Sequence, residues 1–300
     1  MKLCAVLSMD KLDDFEAYDH LFEPHLLSLG WQVEVVSWRA KNVAWDNYDA
    51  VIIRTPWDYQ EDAEAFLQVL ESIEESTAHL ENNLAIVRWN IDKIYLKELA
   101  ELGVNLVPTL WRNAIGTQQH ITEDDLTQYF AHFCQEQIVL KPRISANADN
   151  TFWLSKANAK QSLNAINDAF RERDFMIQPF MEHIVSEGEY SLFYFNGDYS
   201  HAILKTPKAD DFRVQEEHGG RLTKIEPEPV LVEHAEQCMK AISELFNMPL
   251  YARVDFVRHQ TGFALMEAEL IEPSLYFNMD EQSPRRFAQA FVKRLNQLAL

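Results

Sequence analysis

Up to residue 89, short apolar runs alternate with segments of helical spacing. The apolar runs predict strands at residues 3–8, 33–38, 48–54 and 84–89. Between them, residues 15–29 and 61–78 carry apolar side chains three and four positions apart, which is typical of amphipathic helices. Gly30 follows the first of these segments, where glycine commonly ends a helix. The alternation predicts a Rossmann-like α/β domain over residues 1–88, with helices on both faces of a parallel sheet.

After residue 89 the pattern changes to a mixture of helices and antiparallel strands. Strand patterns cover residues 106–109, 137–142, 175–181, 190–195 and 199–205, and helical spacing covers residues 91–102, 124–134, 233–246 and 284–298. The dipeptide Asn196-Gly197, between two of these strands, is a pair that tight hairpin turns favour. The second part of the chain is therefore predicted to be α+β and rich in hairpins.

A further hairpin near the C-terminus carries three carboxylates. Its two strands are residues 251–257 and 263–273. Because side chains alternate between the two faces of a strand, Glu267 and Glu269 share a face, and Asp255 lies opposite them. Carboxylates this close repel one another unless a cation or a proton intervenes, and Mg²⁺ takes oxygen ligands together with substrate phosphates. The hairpin indicates either the magnesium site of a nucleotide-using enzyme or a solvated edge strand with alternating glutamates.

The composition restricts the partners of the chain. It has 300 residues, 47% of them apolar, which suffices for one large domain or for two to three smaller ones. The net charge is -20, whereas a protein that binds phosphate backbones needs a basic patch, so no nucleic-acid partner is expected. The charge does not exclude ATP, because a few lysines and arginines can form a local positive cleft.

The cysteines and the apolar segments indicate the compartment. Cys4, Cys134 and Cys238 are odd in number and far apart, which matches neither a disulfide framework nor a zinc site. Residues 1–8 are too short for the apolar core of a signal peptide. No run of about 18 apolar residues exists, so no membrane partner is expected. These features predict a soluble protein in the reducing cytoplasm.

Polar residues follow two strands of the predicted N-terminal sheet. In open parallel sheets, ligands bind beyond the carboxyl ends of the strands. Ser8 lies at the end of the first strand, and Arg54, Trp57 and Asp58 lie at the end of the third. These residues are candidates for substrate contacts. The alternative is that Arg54 and Asp58 only form ion pairs at the surface.

The order of the motifs after residue 85 resembles the ATP-grasp superfamily. The resemblance rests on residues 90–93, 138–142, 178–181, 188–191, 204–207, 218–221 and the acidic hairpin. Within the superfamily, the chain is similar to glutathione synthetase-like and RimK-like ligases and to the cyclo-ligases of cycloserine biosynthesis. The resemblance implies an ATP-grasp fold with a pre-grasp domain at 1–88, a lid-like part at 89–178 and a metal-bearing part at 179–300, with ATP between the last two.

The resemblance implies that one set of residues binds the nucleotide. Lys93 and Lys141 would meet its phosphates, and Glu189 would bind its ribose. The hinge that pairs with adenine corresponds to Gln178, Phe180 and Met181. Residues 143–151 stand where the family has a mobile glycine-rich loop over the phosphates. Small polar side chains replace the glycines there, at Ser145 and Asn147.

A second set would handle the metal, the transferred phosphate and the substrate. The metal ligands would be Asp255, Glu267 and Glu269, holding one or two Mg²⁺ ions, with Mn²⁺ as an alternative. The cations at the transferred phosphate would be Lys205, Arg213 and Arg221. The substrate contacts would be Ser8, Arg54, Asp58 and His218.

The reaction that the resemblance implies is an ATP-dependent ligation. A carboxylate is activated as an acylphosphate, and an amine displaces phosphate, within one molecule or between two. The partner would be a small amino-acid-like substrate, and relatives are commonly dimers or tetramers, so a homo-oligomer is one alternative. The chain has neither a Gly-x-Ser-x-Gly elbow nor a Walker A motif, which agrees with chemistry that needs no side-chain nucleophile. The other hypotheses are a phosphotransferase on the same fold and a non-catalytic nucleotide-binding module.

Overall fold

The computed structural model describes residues 1–12, 15–145, 148–209 and 211–298. Within these residues the strands form a parallel sheet of four strands and two antiparallel sheets of four and five strands. The parallel sheet comes first in the chain and the antiparallel sheets follow it. The predicted change from α/β to α+β organisation is therefore confirmed.

The N-terminal sheet is parallel throughout, in the order β2-β1-β3-β4. Its strands are β1 (Lys2–Ser8), β2 (Trp31–Ser37), β3 (Ala50–Thr55) and β4 (His79–Glu81), and its helices are α1 (Glu23–Ser28) and α2 (Ala63–Glu74). The central strand β3 is buried at every position, as expected when helices cover both faces of a parallel sheet.

The strand predicted at residues 84–89 is wrong, because this segment is helix α3 (Leu84–Asn90). The side chain of Asn83 accepts a hydrogen bond from the N–H of Ile86 at 3.0 Å, which is a helix N-cap. A short run that is apolar throughout does not distinguish a buried strand from a buried helix. The fourth strand is β4, upstream of this cap.

The long helix predicted over residues 15–29 is also wrong in extent. Only α1 is α-helical, after a short 3-10 turn at Asp19–Leu21. Pro24 occupies the first turn of α1, where its missing N–H does no harm, but it cannot continue a helix from upstream. Tyr18 has a left-handed φ of 58°, which also breaks the helix.

The central sheet is antiparallel, in the order β5-β8-β6-β7. Its strands are β5 (Leu110–Arg112), β6 (Gln137–Pro142), β7 (Phe152–Ser155) and β8 (Phe175–Pro179), and its helices are α5 (Glu123–Phe133) and α6 (Leu163–Ala169). The preceding helix α4 (Tyr95–Glu101) packs in the core of the C-terminal sheet. The sequence pattern misses β7 and α6, which are short. The strand predicted at 106–109 is reduced to one bridge between Leu106 and Leu265.

The C-terminal sheet is antiparallel, in the order β11-β10-β9-β12-β13. Its strands are β9 (Glu189–Phe195), β10 (Asp198–Thr206), β11 (Arg221–Ile225), β12 (Tyr251–His259) and β13 (Gly262–Glu269), and its helices are α7 (His183–Ser186), α8 (Pro229–Leu245) and α9 (Ser283–Gln297). Asn196 and Gly197 both have positive φ, as a two-residue hairpin turn of type I′ requires. Both predicted hairpins are confirmed.

Buried polar contacts join the N-terminal and C-terminal sheets. The Asn82 amide donates hydrogen bonds to the carbonyls of Tyr251 at 2.9 Å and Leu270 at 2.7 Å, and its oxygen accepts one from the N–H of Leu250 at 2.7 Å. The Tyr251 hydroxyl donates to the carbonyl of Ile53 at 2.6 Å. These bonds fix the carboxyl ends of β3 and β4 beside β12 and the segment after β13.

Aromatic side chains fill the space between the N-terminal sheet and α9. Trp31 packs against Phe291 with 4.9 Å between ring centroids, and Phe22 packs against Phe287 at the same distance.

No helix in the described part of the chain is long and apolar enough to cross a membrane.

Candidate active site

One cavity of about 220 Å³ is lined by residues from all three sheets or their flanking loops. Most of the residues predicted for the site line it together. They are Lys93, Lys141, Gln178, Phe180, Met181, Glu189, Lys205, Arg213, Asp255, Glu267 and Glu269. The carboxyl end of β3 contributes Trp57 from the loop that follows it. The fold thus gathers residues that lie up to 219 positions apart in the sequence, from Trp57 to Tyr276.

Alternating charges form the floor of the cavity on β9, β10, β12 and β13. The Lys205 ammonium is paired with Glu189 and lies 3.6 Å from Asp255. Arg253 donates to both Asp255 oxygens at 3.1 Å and is paired with Glu269. Strand register brings these groups together, since Asp255 faces Glu267 and Arg253 faces Glu269 across the hairpin. The carboxylates that the sequence predicts to converge are therefore separated by cations.

Burial and neighbouring charges set the protonation of these groups. Burial and the Arg253 guanidinium oppose the charge of Lys205, but Asp255 and Glu189 outweigh them and raise its pKa. Burial alone would raise the pKa of Asp255, but Arg253 and Lys205 lower it, and the Ser191 hydroxyl donates a hydrogen bond to it at 2.5 Å. Burial raises the pKa of Glu189 in spite of Lys205.

Two lysines face the cavity from the lid side. Lys93 lies between α3 and α4, pairs with Glu267 at 3.0 Å and donates to the carbonyl of Ser145 at 2.7 Å. Lys141 lies on β6 and has no ion-pair partner within the described residues. Burial lowers the pKa of Lys141, and Glu267 counteracts this. An ammonium in such a partly buried position is costly unless an anion accompanies it, so this position suits a phosphate.

Two glutamates at the end of the acidic hairpin hold their protons unusually tightly. Burial raises the pKa of Glu269 to about 7, against the effect of Arg253. Burial and the nearby Glu269 raise the pKa of Glu272 to about 8. Both side chains line the cavity. Near neutral pH both carboxyl groups are therefore at least partly protonated.

The acidic hairpin fits magnesium in its chemistry rather than as a preformed cage. Among the described residues, no three His, Cys, Asp or Glu side chains are arranged to hold a metal ion. The reason is that Lys93 draws Glu267 away and Arg253 draws Asp255 and Glu269 away. Mg²⁺ is usually held by one or two carboxylates together with substrate phosphates. The residues present meet that requirement.

An aromatic stack closes the opposite end of the cavity. Phe180 stacks on Trp153 with 4.5 Å between ring centroids, and the Gln178 amide donates to the Thr109 hydroxyl at 2.9 Å. The Phe180 N–H donates to the carbonyl of Gln137 at 3.0 Å, and the Met181 carbonyl accepts from Ile184 at 2.9 Å. The Phe180 carbonyl and the Met181 N–H have no backbone partner in the described part of the chain, so they are available to a planar heterocycle.

The structure describes part of residues 143–151, the predicted loop over the phosphates. Ser145 is buried and lines the cavity, together with Ala148 and Thr151. Arg143 anchors the start of the loop through ion pairs with Asp92 and Asp174. Asn147, the other predicted polar replacement for glycine, lies outside the described residues.

Three residues predicted for the substrate pocket do not line the cavity. Arg54 is fully buried, pairs with Asp19 at 3.3 Å and donates to the carbonyl of Pro273 at 2.9 Å. Asp58 accepts hydrogen bonds from the indole of Trp38 at 2.7 Å and from Arg39 at 2.9 Å. Ser8 is buried within the sheet. Arg54 and Asp58 each form ion pairs, but not with one another, and Arg54 is buried, so the surface pairing of the alternative is not found.

Two further predicted residues also lie off the cavity. Arg221 is exposed at the start of the edge strand β11. His218 ends a 3-10 turn, and its Nε2 atom is buried without a hydrogen-bond partner. Between them, Gly220 packs so tightly that a Cβ there would lie 2.0 Å from the Val214 carbonyl oxygen.

Arg253 and Tyr276 are among the cavity residues that the sequence pattern misses, and Glu272 is left unassigned. Arg253 lies two positions before Asp255, on the same face of β12. The alternation of side chains along a strand could therefore have identified it from the sequence. Tyr276 follows the hairpin in a left-handed conformation that no sequence motif predicts. Glu272 has no counterpart in the family motif, and the cavity wall includes it because Trp57 donates to its carbonyl at 2.9 Å.

Family profiles match two successive parts of the chain. Residues 4–82 match the family described as "D-cycloserine synthetase DcsG, N-terminal domain", and residues 106–250 match "Prokaryotic glutathione synthetase, ATP-grasp domain". The chain is 29% identical over 283 residues to the cycloserine biosynthesis protein DcsG of Streptomyces lavendulae. That alignment covers 89% of this chain and 90% of the relative.

Solved structures share the fold over nearly the whole chain. The crystal structure of the D-cycloserine synthetase DcsG has a TM-score of 0.86 and 26% identity, covering 98% of this chain and 99% of that one. D-alanine–D-alanine ligase from Bacillus anthracis, complexed with ATP, has a TM-score of 0.68 and 14% identity over 100% of both chains. A RimK-domain ATP-grasp protein from Sphaerobacter thermophilus has a TM-score of 0.66 and 12% identity, covering 96% and 98%. The last two show the fold alone.

These matches confirm the predicted arrangement of an ATP-grasp fold behind an N-terminal pre-grasp domain. ATP-grasp enzymes use ATP and Mg²⁺, and the cavity described above supplies lysines and carboxylates suited to both. The chain therefore has an ATP-grasp fold, is similar to DcsG over most of its length, and is an ATP-dependent carboxylate–amine ligase.

Proposed function

We propose that this ligase acts on a small amino-acid-like substrate and closes a ring within it. The relative that aligns with 89% of the chain is named for cycloserine, a cyclic amide, which supports ring closure. The same name, that of a small molecule, supports a small substrate rather than a peptide. The substrate carboxylate would lie against Lys205 and Arg253, the two buried cations of the cavity floor.

The observation that carries the proposal is the arrangement of cations around one cavity. Lys93 and Lys141 enter from the lid side, and Lys205, Arg213 and Arg253 from the C-terminal sheet. Phosphoryl transfer depends mainly on positioning and on the neutralisation of charge on the transferred group. Lys141 lacks a carboxylate partner within the described residues, which supports its role as a phosphate contact.

The chemistry takes place in two steps. A substrate carboxylate oxygen attacks the γ-phosphorus of ATP, so that a new P–O bond forms and the bond to ADP breaks. The amine nitrogen then attacks the acyl carbon, the C–O bond to phosphate breaks, and the nitrogen loses a proton. Lys205 stabilises the transferred phosphate and holds the acyl group in place, and Glu189 binds the ribose.

Mg²⁺ would be held by Glu267 and Glu269, with Asp255 as a third ligand and with phosphate oxygens completing its shell. When bound, it neutralises phosphate charge and orients the phosphates for in-line transfer. The proposal includes one or two ions. Binding requires that Lys93 and Arg253 release the carboxylates that they hold in this structure.

The domain boundaries at residues 88 and 178 and a cytoplasmic location belong to the same proposal. The second boundary is supported by β8, which ends the central sheet at Pro179 before the hinge. The location is supported by the three free cysteines, because a reducing compartment keeps cysteines as thiols. Two of the three are buried.

The test begins with thermal unfolding in the presence of a non-hydrolysable ATP analogue. At a hundredfold excess over the dissociation constant, binding stabilises the protein by about 2.7 kcal/mol. We expect a rise in melting temperature that needs Mg²⁺, disappears in Lys141→Met and persists in Lys240→Met, a matched change at an exposed helix position. An equal shift in both variants would contradict the assignment of Lys141.

Hydroxylamine trapping distinguishes the ligase from a phosphotransferase. Hydroxylamine attacks an acylphosphate and gives a hydroxamate, whereas a stable phosphorylated product leaves it unchanged. A panel of amino-acid-like carboxylates should therefore yield hydroxamate and ADP together. ADP formation with a stable phosphoester would contradict the proposal.

A further inference from the structure

A second, smaller pocket opens from the wall of the main cavity. Its volume is about 210 Å³, and it shares Trp57, Glu217, Ser274 and Tyr276 with the main cavity. A group bound in this pocket therefore lies beside the reaction centre, and a single small molecule can occupy both spaces. We refer to it as the side pocket.

One wall of the side pocket is aromatic. Phe15 and Trp57 meet edge to face, with 5.4 Å between their ring centroids. The Trp57 indole donates to the carbonyl of Glu272 at 2.9 Å, which fixes the orientation of its ring. Aromatic faces attract cations, with the indole of tryptophan as the strongest of them.

The other wall carries carboxylates that lack countercharges. Glu16, Glu216 and Glu217 line the side pocket, and none of them forms an ion pair in the described part of the chain. Partial burial and the neighbouring Glu217 raise the pKa of Glu216, as expected for carboxylates that repel one another. In the main cavity, by contrast, Glu189 and Asp255 both have a cation beside them.

A tyrosine hydroxyl at the junction of the two spaces also lacks a partner. Tyr276 is only 6% exposed, and its side chain lines both the main cavity and the side pocket. Its hydroxyl makes no hydrogen bond within the described residues. The hydroxyl oxygen itself reaches the open space of the pocket, where a ligand can form a hydrogen bond with it. The backbone of Tyr276 has φ 43° and ψ 50°, a conformation that a bulky residue rarely adopts.

The two spaces therefore have opposite polarity around this tyrosine. Lys205 and Arg253 act on its hydroxyl from the main cavity, and Glu216 and Glu217 act on it from the side pocket. A zwitterion would align with its carboxylate toward the lysine and arginine and its cationic nitrogen toward the glutamates.

We propose that the side pocket binds the cationic nitrogen of the substrate, as an ammonium group held between the carboxylates, the aromatic wall and the Tyr276 hydroxyl. This inference rests on the proposed function, because it assigns a part of the same amino-acid-like substrate. The ammonium donates hydrogen bonds to carboxylate oxygens and to the tyrosine oxygen. The site selects substrates with a positive nitrogen and orients their carboxylate for activation.

The experiment measures the binding of n-propylammonium by ligand-observed NMR, with n-butanol as the neutral probe of similar size. Titrations are done with and without Mg²⁺ and a non-hydrolysable ATP analogue, which fills the main cavity. We expect saturable binding of the cation and none of the alcohol, because only the cation can form charge pairs and cation–π contacts. Glu216→Gln and Glu217→Gln should each weaken binding about threefold to fivefold. Glu172→Gln, an exposed glutamate on the lid, is the matched control and should leave it unchanged.

Equal affinity for the alcohol, or full cation binding in the Glu216→Gln/Glu217→Gln double variant, would overturn the inference. Phe15→Leu should weaken the binding of the cation, because it removes the aromatic ring face. The same change made in the double variant should have no further effect on binding. The nucleotide titration separates the two claims. A Mg²⁺-dependent nucleotide shift without ammonium binding refutes the side pocket alone, and ammonium binding without a nucleotide shift refutes the proposed function alone.

Discussion

The Tyr251 hydroxyl is a buried polar contact at the junction of the N-terminal and C-terminal sheets. It is fully buried, donates to the carbonyl of Ile53 at 2.6 Å and lies 3.0 Å from the carbonyl of Ile271. It also accepts the N–H of Asn82 at 3.4 Å. Ile271 directly precedes Glu272, so the hydroxyl supports the segment that forms the cavity wall. The change Tyr251→Phe removes this group without altering the ring.

The expected cost of Tyr251→Phe follows from the groups left without a partner. Phenylalanine fills the same space, so the cavity term is limited to one oxygen atom. The loss of the donor leaves a buried carbonyl unsatisfied, which costs about 1–3 kcal/mol in free energy of unfolding. For a chain of this size, each kcal/mol lowers the melting temperature by about 2–4 °C.

Urea unfolding and thermal melting of the variant measure this cost. Tyr199→Phe is the matched control, because that tyrosine is 39% exposed and its hydroxyl has no hydrogen-bond partner among the described residues. The control should change the free energy of unfolding by less than about 0.5 kcal/mol. A Tyr251→Phe loss as small as that of the control would refute the claim that this hydroxyl holds the sheets together.

Three further predictions concern single side chains. Lys205→Met, measured by urea unfolding at neutral pH in EDTA, should cost about 3–5 kcal/mol, because it leaves the largely buried carboxyl groups of Glu189 and Asp255 without this cation. The added change Glu189→Gln should recover most of this loss, and no recovery would contradict the pairing. Burial lowers the pKa of His201 to about 4 from an ordinary 6.5, so the native state binds fewer protons than the unfolded chain between these values. Stability should therefore fall by about 3 kcal/mol as the pH drops from 6.5 to 4, and a curve equally steep in His201→Gln would disprove this origin. Gly188→Ala places a Cβ 2.6 Å from the Lys205 carbonyl at φ +123° and should cost clearly more than Gly116→Ala, which is strained only by its φ of +71°.

The motifs that carry charge were readable from the sequence because their spacing matches strand geometry. Asp255, Glu267 and Glu269 are placed by the two-residue period of the acidic hairpin, and the structure pairs the first two across the strands. Lys141 was readable as the last polar residue of a strand that ends at a proline. Such positions depend on local backbone periodicity, which the sequence encodes directly.

Local pattern failed where a tertiary contact or a cap decided the outcome. The apolar run after Asn83 reads equally well as a strand, and only the cap and its packing make it a helix. Arg54 and Asp58 follow a strand end as ligand-binding residues do, but Asp19 and Arg39 neutralise them within the fold. Ion-pair partners distant in sequence cannot be identified from strand ends alone.

The sequence by itself determined the order of elements, the α/β then α+β organisation and the identity of most charged residues in the cavity, because each depends on spacing within a short segment. Only the tertiary structure decided how those charges are partnered. Arg253 separates Asp255 from Glu269, and Lys141 is left without a carboxylate in the described residues. Tyr276 and the side pocket likewise arise where loops from the two ends of the chain meet. Partnering depends on distances between residues far apart in sequence, and burial sets the strength of each charge, so neither can be read from local pattern.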